Sequence, residues 1–381
     1  MFKGQEVTIV HIVEDMSPVS GGVATVVRML SNELSSEKIK HVVVCNKADK
    51  TVVGQSVTLK IFKPGKYDLG WGYSRQACDY LVDISSSRNV VFHIHGIWKS
   101  LHFFAAKISR ERDVPCVLTA HAMLDNWFWY GQGWLKRLKK NLYWTFLSYN
   151  FKKLHCLHAI TPSETLNLKT LLPNAEVVTI PNTMYVPTIN RFKQYSGDQG
   201  KYFLFIGRID AQKGLDVLVK AYLSSKIKTS IKLLIVGPIG DRKYWDLILK
   251  YIKENDFSDS VEYLGPKFGR EKDDLICNAL SCVIPSRTEV IGMVNLEAAS
   301  LCCPSITTFE TGLHDWEDGG GILISAENES SCRNALDRAA DWSFEERVSR
   351  GAASYNLVFN KYNISKIKLN WIDLYSKLTS K

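Results

Sequence analysis

Two glutamates, Glu289 and Glu297, bracket seven residues in the run Pro285-Ser286-Arg287-Thr288-Glu289-Val290-Ile291-Gly292-Met293-Val294-Asn295-Leu296-Glu297. Carboxylates so spaced do not act on one atom, because eight residues of helix advance roughly 12 Å. They suit the two ends of one elongated ligand. The preceding Cys282-Val283-Ile284 predicts a buried strand, and Met293, Leu296, Ala299 and Ser300 have helical spacing. Strand, short loop and helix therefore follow one another, with polar groups at the carboxyl end of the strand, where open α/β sheets bind ligands. A helix amino terminus between the carboxylates suits a phosphate.

A second strand–turn–helix pattern lies at Phe205-Ile206-Gly207-Arg208-Ile209-Asp210-Ala211-Gln212-Lys213-Gly214-Leu215-Asp216. Arg208 and Lys213 follow the strand end. Alone they are ordinary turn charges; beside the glutamate segment they could neutralise a diphosphate without a metal. No two aspartates are separated by a single residue, so the chain has no D-x-D for holding a divalent ion on a diphosphate. No spacing among its histidines and cysteines assembles a zinc set either, so no metal is expected. Near the amino terminus, Ser20-Gly21-Gly22-Val23 follows the first strand and precedes a helix; adjacent glycines let backbone approach a phosphate or sugar, or simply form a turn. Single histidines are more often structural than catalytic. His95 and His121 stand apart because each ends a predicted parallel strand.

The elements that must position these groups alternate along the chain. Strands are expected at 7–13, 41–45, 57–62, 90–95, 115–119, 158–161 and 177–180, then at 202–206, 231–236, 261–264, 282–284, 304–307 and 321–324, with helical stretches between them. A polar segment, Ser196-Gly197-Asp198-Gln199-Gly200, separates the two runs. Such alternation predicts parallel sheets covered on both faces. The expected organisation is a first Rossmann-like domain over 1–188, a linker over 189–201, a second Rossmann-like domain over 202–360 and a final amphipathic helix over 361–381, with a cleft between the domains. The length of 381 residues favours two cores over one.

Composition narrows the class. Apolar content of 45% and charged content of 23% are those of an ordinary globular protein. No apolar run reaches the ~18 residues of a membrane span, and Met1-Phe2-Lys3-Gly4-Gln5-Glu6 lacks a signal-peptide layout. Nine cysteines without C-x-x-C spacing fit reduced thiols, so a cytoplasmic location is expected. The net charge of +9 favours anionic partners. Its densest cluster, Lys136-Arg137-Leu138-Lys139-Lys140 followed by Leu142, Tyr143, Trp144, Phe146 and Leu147, is a basic aromatic helix. That helix is either a solvated face or a peripheral contact with the inner face of an anionic membrane. No motif supports binding to nucleic acid.

Together the Gly-Gly loop, His121, Gly207-Arg208 with Lys213-Gly214, and Glu289 through Glu297-Ala298-Ala299 resemble glycosyltransferase family 4, retaining enzymes of the GT-B fold. Thr161-Pro162-Ser163 and Pro181-Asn182 also sit where that family carries similar turns. The resemblance implies a nucleotide diphosphate sugar as donor and no separate cofactor. It places Arg208 and Lys213 on the diphosphate, Glu297 on the ribose, and Glu289 on the sugar hydroxyls. Backbone N–H groups around Ile291, Gly292 and Met293, beside Gly207, would complete the donor site. Gly22 would approach the phosphates, His121 would touch the sugar, and His95 would lie on the acceptor side. The terminal helix would cross back to the first domain.

Two departures stand out. Val290-Ile291 replace the usual Pro or Gly then Phe, which puts sugar specificity in question. His121-Ala122-Met123-Leu124-Asp125-Asn126-Trp127 is similar to a histidine-glycine-methionine-leucine motif of bacterial surface-polysaccharide transferases, with Ala122 in place of glycine. It implies an O-antigen or capsule acceptor carried on a lipid. Rival readings are a nucleotide-sugar epimerase of the same fold, which needs no acceptor, and a non-catalytic nucleotide-sugar-binding protein.

Overall fold

A computed structural model describes residues 6–380 except 18–19, 37, 50–52, 67, 69, 125–133, 188–201 and 256–258; the side chains of residues 136, 146 and 147 are likewise outside it. The expected linker 189–201, and Asp125, Asn126 and Trp127 of the histidine motif, lie outside the described residues. Two compact units emerge, one comprising Met1–Met184 with Ile364–Lys381 and the other Tyr185–Asn363. The changes of unit thus fall a few residues from the expected 188 and 361.

In the first unit, β1 (Val7–Asp15), α1 (Gly22–Glu33), β2 (Ile39–Lys47) and β3 (Val57–Ile61) are followed by α2 (Arg75–Ile84), β4 (Val90–His95), α3 (Ser100–Arg112) and β5 (Cys116–Thr119). Then come α4 (Trp134–Phe151), β6 (Cys156–Ala159), α5 (Pro162–Leu171) and β7 (Val177–Thr179). The strands pair in parallel in the order β3-β2-β1-β4-β5-β6-β7. Order reverses between β1 and β4, the switch point at which such sheets bind ligands. Fully buried strands such as Val-Val-Phe-His-Ile-His in β4 show why the pattern is continuous rather than alternating.

The second unit repeats the plan with β8 (Tyr202–Ile206), α6 (Leu215–Ser224), β9 (Lys232–Val236), α7 (Arg242–Glu254), β10 (Val261–Tyr263) and α8 (Gly269–Asn278). It continues with β11 (Ser281–Ile284), α9 (Met293–Ser300), β12 (Ser305–Thr308), β13 (Ile322–Ile324), α10 (Glu329–Ala340) and α11 (Phe344–Lys361). Six strands run parallel in the order β10-β9-β8-β11-β12-β13, with the switch point between β8 and β11. Both expected strand runs are present. Strand ends differ from expectation by at most two residues, as at β2, which starts at Ile39, and β6, which starts at Cys156.

The final helix, α12 (Ile364–Thr379), belongs to the first unit. Its Ile364, Ile367, Trp371, Leu374, Tyr375 and Leu378 pack with Val7, Ile9, Val91, Val117 and Cys156. The Ile364 N–H donates to the Met184 carbonyl at 3.0 Å, fixing where the helix enters. On this amphipathic helix Leu369 is exposed and Leu374 buried. No helix among the described residues is long and apolar enough to cross a membrane. Because α12 closes one face of the sheet, Trp371→Ala should lower unfolding free energy by about 3–5 kcal/mol. A urea midpoint within error of wild type would contradict that role.

Candidate functional site

In the second unit the turn after β8 and the loop after β11 are locked together. β8 runs into Gly207 and then a single 3₁₀ turn, Ala211–Lys213. Gly214 follows with φ 66°, and a Cβ there would lie 2.1 Å from the Pro285 carbonyl oxygen, so only glycine lets the two backbones meet. The Arg287 N–H donates to the Gln212 carbonyl at 2.8 Å, and Gln212 Nε2 donates to the Thr288 carbonyl at 3.0 Å. The Arg287 guanidinium makes a fork to Asp216, at 3.0 and 2.8 Å, and also donates to Glu327 and to the Ala211 carbonyl. Tyr244 donates to the same aspartate at 2.5 Å. Bonding to Asp216 raises the Arg287 pKa. Burial alone would raise the Asp216 carboxyl, but the bonds from Arg287 and Tyr244 outweigh it and hold it below the ordinary value.

That clasp brings Lys213 and Glu289 together. Lys213 Nζ lies 3.0 Å from Glu289 Oε1, with side chains 17% and 13% exposed, so this is a sheltered pair rather than a surface one. Ser286 Oγ donates to the same oxygen at 2.5 Å. The Lys213 stem passes beside Gly207, whose Cβ would sit 3.7 Å from it. Arg208 is held differently: its Nε donates to Asp210 at 2.5 Å, its side chain remains exposed, and its stem crosses Gly240, where a Cβ would approach within 2.7 Å. Each cation thus has its own carboxylate. Glu297, on α9, is met by Lys272 of α8 at 2.9 Å.

The amino terminus of α9 is less open than its sequence suggests. The Gly292 N–H donates to the Thr311 carbonyl at 3.1 Å and the Met293 N–H to the Ile291 carbonyl at 2.9 Å. Two of the backbone donors expected to face a ligand are therefore bonded within the protein, Gly292 to the turn after β12 and Met293 to its own loop. Ile291 is buried. Inward-facing Asn295 bonds Thr307 and Ser305, anchoring the helix to β12.

In the first unit, Gly21 has φ 86°, a conformation that favours glycine, and Gly22 opens α1 with open space where a Cβ would lie. His121 and Ala122, just past β5, both have left-handed backbone, φ 50° and 64°. Glu164 holds this bend. One carboxylate oxygen accepts from Ala122 N–H at 3.1 Å and the other from Ile160 N–H at 2.7 Å, while the Glu164 N–H caps its own helix on Thr161. The glycine usual in the similar motif fits this conformation better than Ala122 does.

His95, expected on the rim, is instead 1% exposed and lies behind His121, with His95 Nδ1 to His121 Nε2 at 3.1 Å. A strand-end position could not separate these two depths. Burial lowers the pKa of both rings, so they are neutral near neutral pH. Spacing also passed over Asp216, Arg287 and Lys272, since their partners lie 71 or 25 residues away.

Two outcomes test these local arguments. Ala122→Gly should stabilise the protein by about 0.5–1 kcal/mol, since alanine is strained at positive φ; a lower urea midpoint would refute the strain. Arg287→Ala and Asp216→Asn should each cost about 1–3 kcal/mol and combine non-additively. Because the Asp216 carboxyl is held low, its contribution is present above the unfolded value and is lost as pH falls through the folded value. The difference between wild type and Asp216→Asn should therefore shrink in acid, and a constant difference down to about pH 2 would contradict the pairing.

Two family models match the chain: "Glycosyl transferase 4-like domain" over residues 21–183 and "Glycosyl transferases group 1" over residues 187–355. An uncharacterized 41.2 kDa protein in the cps region of Klebsiella pneumoniae is 25% identical over 96% of this chain and 99% of its own length. An uncharacterized glycosyltransferase of Methanocaldococcus jannaschii is 29% identical over 47% of this chain. The chain spans only 45%, 36% and 40% of the length of three such relatives. Among solved structures, Anabaena HepE in complex with UDP and glucose superposes with TM-score 0.77 at 13% identity, covering 98% of this chain and all of that one. WaaG, a glycosyltransferase involved in lipopolysaccharide biosynthesis, gives TM-score 0.72 at 16% identity over 96% of this chain and 99% of its own. Two parallel α/β units and two adjoining domain matches give one conclusion: the chain belongs to the GT-B glycosyltransferases of the group 1, glycosyltransferase 4-like family.

Proposed function

We propose that this protein is a retaining, metal-independent hexosyltransferase that moves a sugar from a nucleotide diphosphate donor to a growing surface glycan carried on a lipid. The sheltered Lys213–Glu289 pair at the β8/β11 switch point, with Arg208 exposed nearby, carries the reading. Lys213 has three donors, and Glu289 uses one, leaving the ammonium able to hold a phosphate as well. Breaking the bond between the sugar anomeric carbon and phosphate oxygen leaves negative charge on the diphosphate, which Arg208 and Lys213 would stabilise. The departing phosphate oxygen would take the acceptor hydroxyl proton as the new glycosidic bond forms on the same face. Glu289 would fix the sugar hydroxyls and Glu297 the ribose, each exchanging part of its present lysine contact for a ligand. HepE's UDP-glucose, WaaG's lipopolysaccharide role and the cps-region relative support donor and acceptor classes.

Attachment to an anionic membrane surface fits α4. Trp134, Leu135, Leu138, Leu142 and Tyr149 are exposed large hydrophobics on that helix, and Arg137 and Lys139 are exposed beside them. Such a face combines apolar insertion with electrostatic attraction. The enzyme would then meet its acceptor at the cytoplasmic leaflet.

Lys213→Ala or Arg208→Ala should lower kcat by about one to three orders of magnitude. Nucleoside diphosphate release, measured against a panel of nucleotide sugars with a lipid-linked acceptor extract, checks this, and wild-type turnover in either variant would refute the role. Activity should persist through brief EDTA treatment; complete loss restored by Mg2+ would overturn metal independence. Replacing the α4 lysines with glutamine should reduce co-sedimentation with anionic vesicles, and unchanged co-sedimentation would leave α4 a solvated face.

A further inference from the structure

The face of the first sheet covered by α12 carries histidines in place of aliphatic residues. Alternation along β4 puts His93 and His95 on one face. Parallel pairing sets His11 of β1 opposite His93. All three are buried, at 0%, 0% and 1% exposure. One ring nitrogen from each lies within 4.8 Å of the other two, and His11 Nδ1 is 3.0 Å from His95 Nε2.

Their remaining nitrogens are supported from outside. His11 Nε2 meets His41 Nδ1 at 2.9 Å, and His95 Nδ1 meets His121 Nε2 at 3.1 Å. His93 Nδ1 meets the Tyr375 hydroxyl and His93 Nε2 the Thr119 hydroxyl, both at 2.8 Å, so one of these remains while the other yields. An outer partner on each ring is what orients imidazoles as ligands.

We propose that His11, His93 and His95 form a three-imidazole site for one divalent transition-metal ion, zinc being the ion that suits such ligands best. Bonds of about 2.0–2.1 Å to tetrahedral zinc set ligand nitrogens roughly 3.4 Å apart. The 3.0 Å contact between His11 and His95 opens to that spacing with a shift of a few tenths of an ångström. Three neutral nitrogens with no carboxylate discriminate against Mg2+ and Ca2+. The ion braces β1 to β4, reaches α12 through Tyr375, and fixes His121 through His95. It is structural and stands apart from the metal-independent transfer proposed above.

A buried ion is acquired as the chain folds. The test therefore uses the full-length protein expressed in zinc-supplemented medium and purified through EDTA. Elemental analysis should find one zinc per chain, retained by wild type and by His155→Gln, which alters a histidine outside the cluster. His93→Gln and His11→Asn should lose it. X-ray absorption on the wild type, which needs no variant to fold, should show imidazole ligands at about 2.0–2.1 Å and no sulfur. Folded wild type without zinc would overturn the site. So would zinc bound to sulfur, for which the Cys282–Cys303 pair at 3.9 Å is the alternative, or full zinc content in both folded variants.

Discussion

Everything in the second unit depends on how the sheet is closed at its switch point. Strands β8 and β11 are neighbours, and the segments that follow them are joined by a bridge across the switch point. The bridge is Arg287, which touches Gln212 through its backbone and Asp216, Ala211 and Glu327 through its guanidinium. Gly214 makes the approach possible, since a Cβ would overlap the Pro285 carbonyl. Arginine suits this task because its planar fork binds a carboxylate with two parallel bonds while further N–H groups remain. Lys213 and Glu289 are neighbours because this bridge exists.

A sheltered ion pair at such a position has a specific consequence. Removing one partner leaves the other underpaired in partly buried surroundings, which costs more than the pair contributes. Glu289 therefore holds Lys213 in place, and Lys272 does the same for Glu297. Arg208, more exposed and tied to Asp210, has greater freedom to turn toward a ligand. Two cations held by separate carboxylates are oriented yet adjustable, so under the proposed function an anion would be met by exchanging contacts rather than by creating charges.

The fold was largely legible because buried parallel strands write themselves as short apolar runs, and punctuation by Gly and Pro marks their ends. Glu289, Arg208 and Lys213 were legible as strand-end residues for the same reason. What spacing could not supply was depth and partnership. His95 and His121 both end strands, yet one is buried behind the other. Gly292 and Met293 begin a helix, yet their N–H groups are spent on Thr311, from the turn after β12, and on Ile291 of the same loop. Arg287 was visible in the motif, but its carboxylate partner lies in a different strand–turn–helix unit.

The histidine face shows the same limit most sharply. His11, His41, His93, His95 and His158 are scattered in sequence, and only strand register gathers them beneath α12. A face lined by valine and isoleucine would bury more apolar area at no hydrogen-bonding cost. Here the rings are fixed by His41–His11 and His95–His121 contacts and by Thr119, Tyr375 and the Ile180 carbonyl. Such a network tolerates few arrangements, since each neutral imidazole has one donor and one acceptor. Its end reaches His121, in a left-handed turn braced by Glu164. The polar lane therefore exchanges hydrophobic stabilisation for a fixed ring orientation at the carboxyl edge of the sheet, as the sugar contact proposed for His121 would require.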